Sequence, residues 1–218
     1  MILISFFDLE QTIDIARFFF NEKRYQEVVS SCEKILSTDS NSIEALQLIS
    51  KSMLLLGKIK EARLYLERIL TIESDNYEVI KEIGNSYQAV GDINTAKSYY
   101  NKAISINNNY APALTNLGCI ALASENKVEA LDFLIKATEA DPKLALAWGN
   151  LANGYFQLGK HKEAEIACHK AIEINPNLFN IHFRLALILI EQKKIEEAEA
   201  SLLRTIDLKP DFVKAHLN

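Results

Sequence analysis

The sequence has few chain breakers and little cysteine: seven glycines, four prolines and three cysteines in 218 residues. So few turn-formers exclude a β-sandwich or barrel, which needs a turn signal about every 8–12 residues. Cys32, Cys119 and Cys168 are odd in number, far apart and without CxxC spacing, poor material for a disulfide framework. That usage fits a reducing, cytoplasmic compartment. Clusters of Lys and Arg are also lacking, and a formal net charge of −5 gives no electrostatic basis for a nucleic-acid partner. No apolar run is long enough for a membrane span; the most apolar internal segment, 185–190, falls far short of roughly 18–20 residues. The opening Met1-Ile2-Leu3-Ile4-Ser5-Phe6-Phe7 has no basic flank and runs into Asp8 and Glu10, unlike a secretory signal. It reads as the start of a helix. What remains is a chain 49% apolar and 24% charged, enough to bury a core and too apolar for general disorder. A largely helical, soluble protein is expected.

A fixed period organises this chain. Pro142, Pro176 and Pro210 are each 34 residues apart, and each follows an apolar helical run and a polar or charged residue. Ala62, Ala96, Ala130, Ala164 and Ala198 keep the same step, with Val28 one period earlier. Gly57, Gly91 and Gly159 fall on the grid too, with Glu125 in the missing place. Two antiparallel helices of about 14 residues, each roughly 21 Å long, plus two short turns account for this period. The alanines then mark where the paired helices approach closely. The glycines occupy the turn inside each pair, where a positive φ is often needed. The prolines stop the second helix.

The segment Trp148-Gly149-Asn150-Leu151-Ala152-Asn153-Gly154-Tyr155, followed by Ala164, Ala171 and Pro176, resembles the signature of the tetratricopeptide repeat (TPR) family. The resemblance implies six repeats at 9–42, 43–76, 77–110, 111–144, 145–178 and 179–212. A lead-in or cap at 1–8 precedes them, and 213–218 copies the opening of a seventh repeat and stops, as in a fragment of a longer protein. The family's small-residue site, place eight, holds Ala16, Ser50, Gly84, Gly118, Ala152 and Ala186; its large apolar site, place eleven, holds Phe19, Met53, Tyr87, Ala121, Tyr155 and Leu189. The first repeat departs most, with Thr12 where the family prefers a large residue. The implied fold is an all-α, right-handed TPR solenoid of about six helix-turn-helix repeats.

In such a stack the first helix of each pair buries places four, seven, eight and eleven, and the family's concave face is formed by places two, five, six, nine and twelve. That stripe carries Lys81, Asn85, Asn116, Asn150, Asn153 and Arg184, with Gln88 and Gln157 at or beside the next turn. A carboxamide offers both a donor and an acceptor, matching the alternating N–H and C=O of an extended peptide. Asn116, Asn150 and Asn218, all at place six, resemble the asparagine ladder of O-GlcNAc transferases; Asp14, Leu48, Glu82 and Arg184 interrupt it. Lys81, Asn85 and Asn116 resemble half of the carboxylate clamp of chaperone-binding TPR domains. Leu146 and Asn150 stand where that clamp needs cations, so a free carboxylate would be poorly compensated there. The stripe is acidic at Glu10, Asp14, Glu44, Glu78 and Glu82 and basic at Arg184 and Lys214, a gradient that either steers a ligand or is plain solvated surface.

No arrangement for chemistry emerges. Gly154-Tyr155-Phe156-Gln157-Leu158-Gly159-Lys160-His161 has P-loop spacing, but His161 replaces the magnesium-binding Ser or Thr and no strand precedes it. Cys168 stands at place twenty-four, a packing site held by Leu66, Tyr100, Leu134 and Leu202 elsewhere, and reads as a buried apolar residue. Neither a metal nor a cofactor is expected. The sequence therefore points to a non-enzymatic scaffold that binds an extended peptide or a partner helix in its groove. Two other readings stay open: the substrate-recruiting arm of a larger enzyme, such as a glycosyltransferase, with its catalytic domain beyond Asn218, and self-association through uncapped ends.

Overall fold

The computed structural model describes residues 6–216, and these form two compact units divided between Ile106 and Asn107. The first unit holds α1 (Phe6–Asn21), α2 (Tyr25–Thr38), α3 (Ile43–Leu55), α4 (Ile59–Ile72), α5 (Tyr77–Ala89) and α6 (Ile93–Ile106). The second holds α7 (Ala111–Ala123), α8 (Lys127–Ala140), α9 (Ala145–Gln157), α10 (His161–Ile174), α11 (Phe179–Glu191), α12 (Ile195–Leu208) and the short α13 (Val213–His216). Consecutive helices pair as hairpins, and in both units each pair packs on the next. Among the described residues there is no strand, and no helix is long and apolar enough to cross a membrane. The first helix begins inside the 1–8 segment; Met1–Ser5, Leu217 and Asn218, and with Asn218 the last rung of the asparagine series, lie outside the described residues.

The turn inside each pair is built identically six times. Lys23, Gly57, Gly91, Glu125, Gly159 and Lys193, all at place fifteen, adopt φ between 60° and 83°. At each one the same two bonds close the helix end: in the second pair Gly57 N–H donates to Leu54 O at 3.0 Å and Lys58 N–H to Met53 O at 2.8 Å, and in the sixth Lys193 donates to Ile190 O and Lys194 to Leu189 O, both at 2.9 Å. This six-to-one, five-to-two pattern satisfies carbonyls that have no helical partner, and it requires one left-handed residue. Backbone hydrogen bonding thus imposes the conformation on two lysines and a glutamate that do not favour it.

The turn between pairs is set by a side chain. Asp39, Asn107, Asp141 and Asn175 each accept, through Oδ1, the N–H two residues on, at 3.0–3.1 Å. This loop bond turns the chain at the end of the second helix, where Pro142 and Pro176 also prevent its continuation and Ser40 and Asn108 stand at the same place. The next helix is then anchored by its fourth residue: Trp148 Nε1 donates to Pro142 O, and His182 Nε2 lies the same 3.0 Å from Pro176 O. A histidine thus reproduces a tryptophan's bond at the same place in the following repeat.

Close approach within pairs follows the alanine series. Val28 and the five alanines at place twenty are all buried. They face a second tight spot: a Cβ added to Gly84 would lie 2.6 Å from the Tyr100 ring, and one added to Gly118 would lie 2.6 Å from Leu134 Cγ. Place eight is therefore small because place twenty-four of the partner helix is large. Cys168, at place twenty-four opposite Ala152, is fully buried in the core of the second unit. Burial also reaches place three, where Ala45, Val79, Ala147 and Ile181 lie against the preceding pair. Gln11, at the same place in the first pair, is exposed.

Candidate functional site

The stripe expected to face a partner runs along α1, α3 and α5 in the first unit and along α7, α9 and α11 in the second. Several of its members are not available for contact. Thr115, Gly149 and Leu122 are buried, and Thr115 spends its hydroxyl on Ala111 O at 2.8 Å. Gly149 lacks the Cβ that would sit 2.4 Å from Ile181 Cδ1, and so lets α11 close onto α9.

In the first unit, Lys81 and Asn85 are tied to their own helix. Glu82 receives the Lys81 ammonium on Oε1 and the Asn85 Nδ2 at 2.9 Å on Oε2. The fully buried Tyr100 carries its hydroxyl to within 2.9 Å of Asn85 Oδ1 and donates to Gln88 Oε1 at 2.6 Å. Glu82, which interrupts the place-six asparagines, thus organises a polar network in which the Lys81 charge is balanced. A ligand that used Lys81 or Asn85 would compete with these internal partners.

The second unit brings three of the sequence-derived residues together. Asn150, Asn153 and Arg184 line one pocket of about 100 Å³ between α9 and α11, with Asn180 as a fourth polar wall and Leu146 and Ile181 as its apolar sides. Asn150 Nδ2 donates to Leu146 O at 3.0 Å, which turns its Oδ1 away from the helix. The Arg184 guanidinium lies 5.6 Å from the centre of the Phe156 ring, and burial lowers its pKa below the ordinary arginine value. It takes part in none of the ion pairs among the described residues. Glu165 on α10 is engaged by other groups: it accepts from Lys194 Nζ at 2.8 Å and from Gln192 Nε2 at 2.8 Å. Burial alone would raise the Glu165 pKa, but these bonds outweigh it and hold the carboxyl below its usual range. Asn116 is half-buried on α7 and does not line this pocket.

Asn180 is missing from the sequence reading although it stands at place two of the same stripe. The neighbours at that place, Leu146, Glu78 and Glu44, share no chemistry with it, so periodicity alone carries no signal. Among the described residues no group of three or more His, Cys, Asp or Glu could hold a metal ion. The thiols carry no sign of activation: burial pushes Cys32 and Cys168 up to about 12 and the half-buried Cys119 to about 11.

Models of the tetratricopeptide repeat match residues 82–110, 111–144, 145–178 and 167–200, together spanning 82–200, more than half of the chain. Comparison with curated proteins finds no match. Among solved structures, the APC/C hetero-tetramer Cut9-Hcn1 aligns at TM-score 0.84 and 17% identity, over 95% of this chain and 41% of that one, so this chain spans less than half of that protein's length. Pseudomonas aeruginosa pilF aligns at TM-score 0.72 and 18% identity over 79% of each chain. YrrB, described as a TPR protein with an unusual peptide-binding site, aligns at 0.60 and 18% identity over 85% of this chain and 96% of that one. At these identities the likeness is one of fold.

Proposed function

This chain belongs to the tetratricopeptide repeat family, whose members mediate protein–protein interactions, and from that premise we propose that it is a non-enzymatic scaffold. Its ligand is an extended peptide or a partner helix held against the first-helix face. The observation that carries this reading is the convergence of Asn150, Asn153, Asn180 and Arg184 on one solvent-accessible pocket. Three carboxamides supply donors and acceptors at fixed positions on rigid helices, the complement of a peptide main chain, whose own groups alternate in the same way. Place-to-place rigidity matters because little of the binding energy is then lost to ordering the receptor.

The test uses a partner first isolated with the intact protein and then measured with purified components. Changing Asn150 and Asn153 together to Ala is expected to weaken binding at least tenfold, on the order of 1–1.5 kcal/mol for each lost hydrogen-bonding group. Undiminished affinity would move the site to the second helices of the pairs.

A further inference from the structure

The register of the repeats shows what each pair offers the next. At Gly154, place ten of α9, an added Cβ would lie 3.0–3.7 Å from Leu131, Leu122 and Leu134, at places twenty-one, twelve and twenty-four of the preceding pair. Those three places form the seat of a place-ten side chain. Place seven is seated beside it: Ile83 of α5 shares one core cluster with Leu66 and Ile69 of α4. In the pair α11 and α12 the same three places are held by Ile190, Glu199 and Leu202, and there they line an open groove of about 530 Å³ together with Leu203, Ile206 and Ala215. Leu202 is only half-buried, whereas place twenty-four is buried in each of the other five pairs. From α13 the groove receives Ala215 alone, at place three, so the seats of places seven and ten are unfilled among the described residues.

The matching surface lies on α1. Ile15 at place seven and Phe18 at place ten are 43% and 57% exposed, while the residues at both places are buried in α3, α5, α7, α9 and α11. Phe18 is also the largest side chain at place ten, which elsewhere holds Ser, Ile or Gly. Charge matches too. Lys194 at place sixteen donates to Glu165 at place twenty-one of the preceding pair at 2.8 Å. Arg24 stands at place sixteen just past α1, and Glu199, at place twenty-one, takes part in none of the ion pairs among the described residues. Arg24 meets Glu27 at 2.9 Å, a pair of exposed side chains that contributes little. We infer that the groove along α12 receives α1 of a second copy of this chain, with Phe18 seated on Ile190 and Leu202 and Arg24 paired with Glu199. Gln11, exposed and polar at place three, is unsuited to the seat that Ala215 takes, so the contact is made by the C-terminal half of α1. One group opposes it: Glu22 stands at place fourteen, where Gln192 donates to Glu165, and would face Glu199. The two surfaces differ, so the contact is heterologous and copies add head to tail. Peptide binding by Asn150, Asn153 and Asn180 uses other side chains and is independent of it.

Sedimentation of the full chain from about 1 μM to about 1 mM tests the contact. The expected result is a mass that rises with concentration above the 24.6 kDa of one chain. Phe18→Gln and Leu203→Gln should each weaken association about tenfold or more, because each removes apolar surface from the contact. Arg24→Glu and Glu199→Lys should each weaken it about threefold or more. Their combination in one chain should recover most of that loss, since every contact then joins unlike charges again. Glu22→Gln, which copies Gln192, should tighten association. All five positions are exposed, so the variants are expected to keep the fold, which thermal unfolding of the dilute proteins checks. A chain that stays monomeric to about 1 mM overturns the proposal. So does association untouched by Phe18→Gln and Arg24→Glu, which would place the contact on another surface or pair the groove with its own copy. A double charge reversal that associates no better than either single one overturns it as well.

Discussion

At the scale of single residues, the left-handed position inside each pair is where local preference and backbone demand disagree. Three of the six positions hold glycine, and three hold residues whose Cβ makes φ near 60° unfavourable. The hydrogen bonds that close each first helix are the same in both cases, so the strain is retained where the side chain is not glycine. Replacing Glu125 or Lys193 with Gly should therefore raise stability, by about 0.5–1 kcal/mol after the added freedom of the unfolded chain is deducted. Urea unfolding with an unchanged slope measures this directly, and a loss of stability in both variants would contradict the strain argument. The sequence showed the glycines and the odd Glu125 on the 34-residue grid. It did not show Lys23 and Lys193, because a lysine carries no sign of a left-handed backbone.

At the scale of elements, each pair of helices is fitted by size complementarity between place eight and place twenty-four. Gly118 lies under Leu134 and Gly84 under the Tyr100 ring, with less than ordinary contact distance left for a methyl group. Gly118→Ala is expected to cost about 1–3 kcal/mol through overpacking. Leu134→Val in the same molecule should relieve part of that, so the double variant costs less than the two single costs added together. Thermal unfolding of the four proteins in this cycle checks the coupling, and strict additivity would show that the two side chains do not compete for the same space. Ala130→Leu, one turn away on the same helix, probes the other close contact and should lie in the same range. The sequence exposed the alanine row because it repeats. The partnership of places eight and twenty-four became visible only when both helices were packed.

At the scale of the whole molecule, stability in an array of helix pairs is distributed over neighbouring interfaces. Each unit carries one buried thiol that reports on its own opening: Cys32 in the first and Cys168 in the second, both raised to about 12 by burial. Ala164→Leu should overpack α10 against α9 and speed labelling of Cys168 by a thiol reagent about tenfold or more under native conditions, for a local loss of at least about 1.4 kcal/mol. Cys32 labelling should change far less. Equal acceleration at both thiols would mean that the chain opens as a single cooperative body. The sequence by itself determined the period, the helix pairs, the glycine turns and the family, because each is written in residues that recur every 34 positions and act on their near neighbours. It also placed Asn150, Asn153 and Arg184 on one stripe. Only the tertiary structure decided which of the stripe's residues are spent and which are available: Glu82 satisfies Lys81 and Asn85, Gly149 admits Ile181, and Arg184 is left beside Asn180 without an acid. Those outcomes depend on side chains from different helices meeting at distances of a few ångströms, and a repeat pattern, which records what successive units share, contains no information about where they differ.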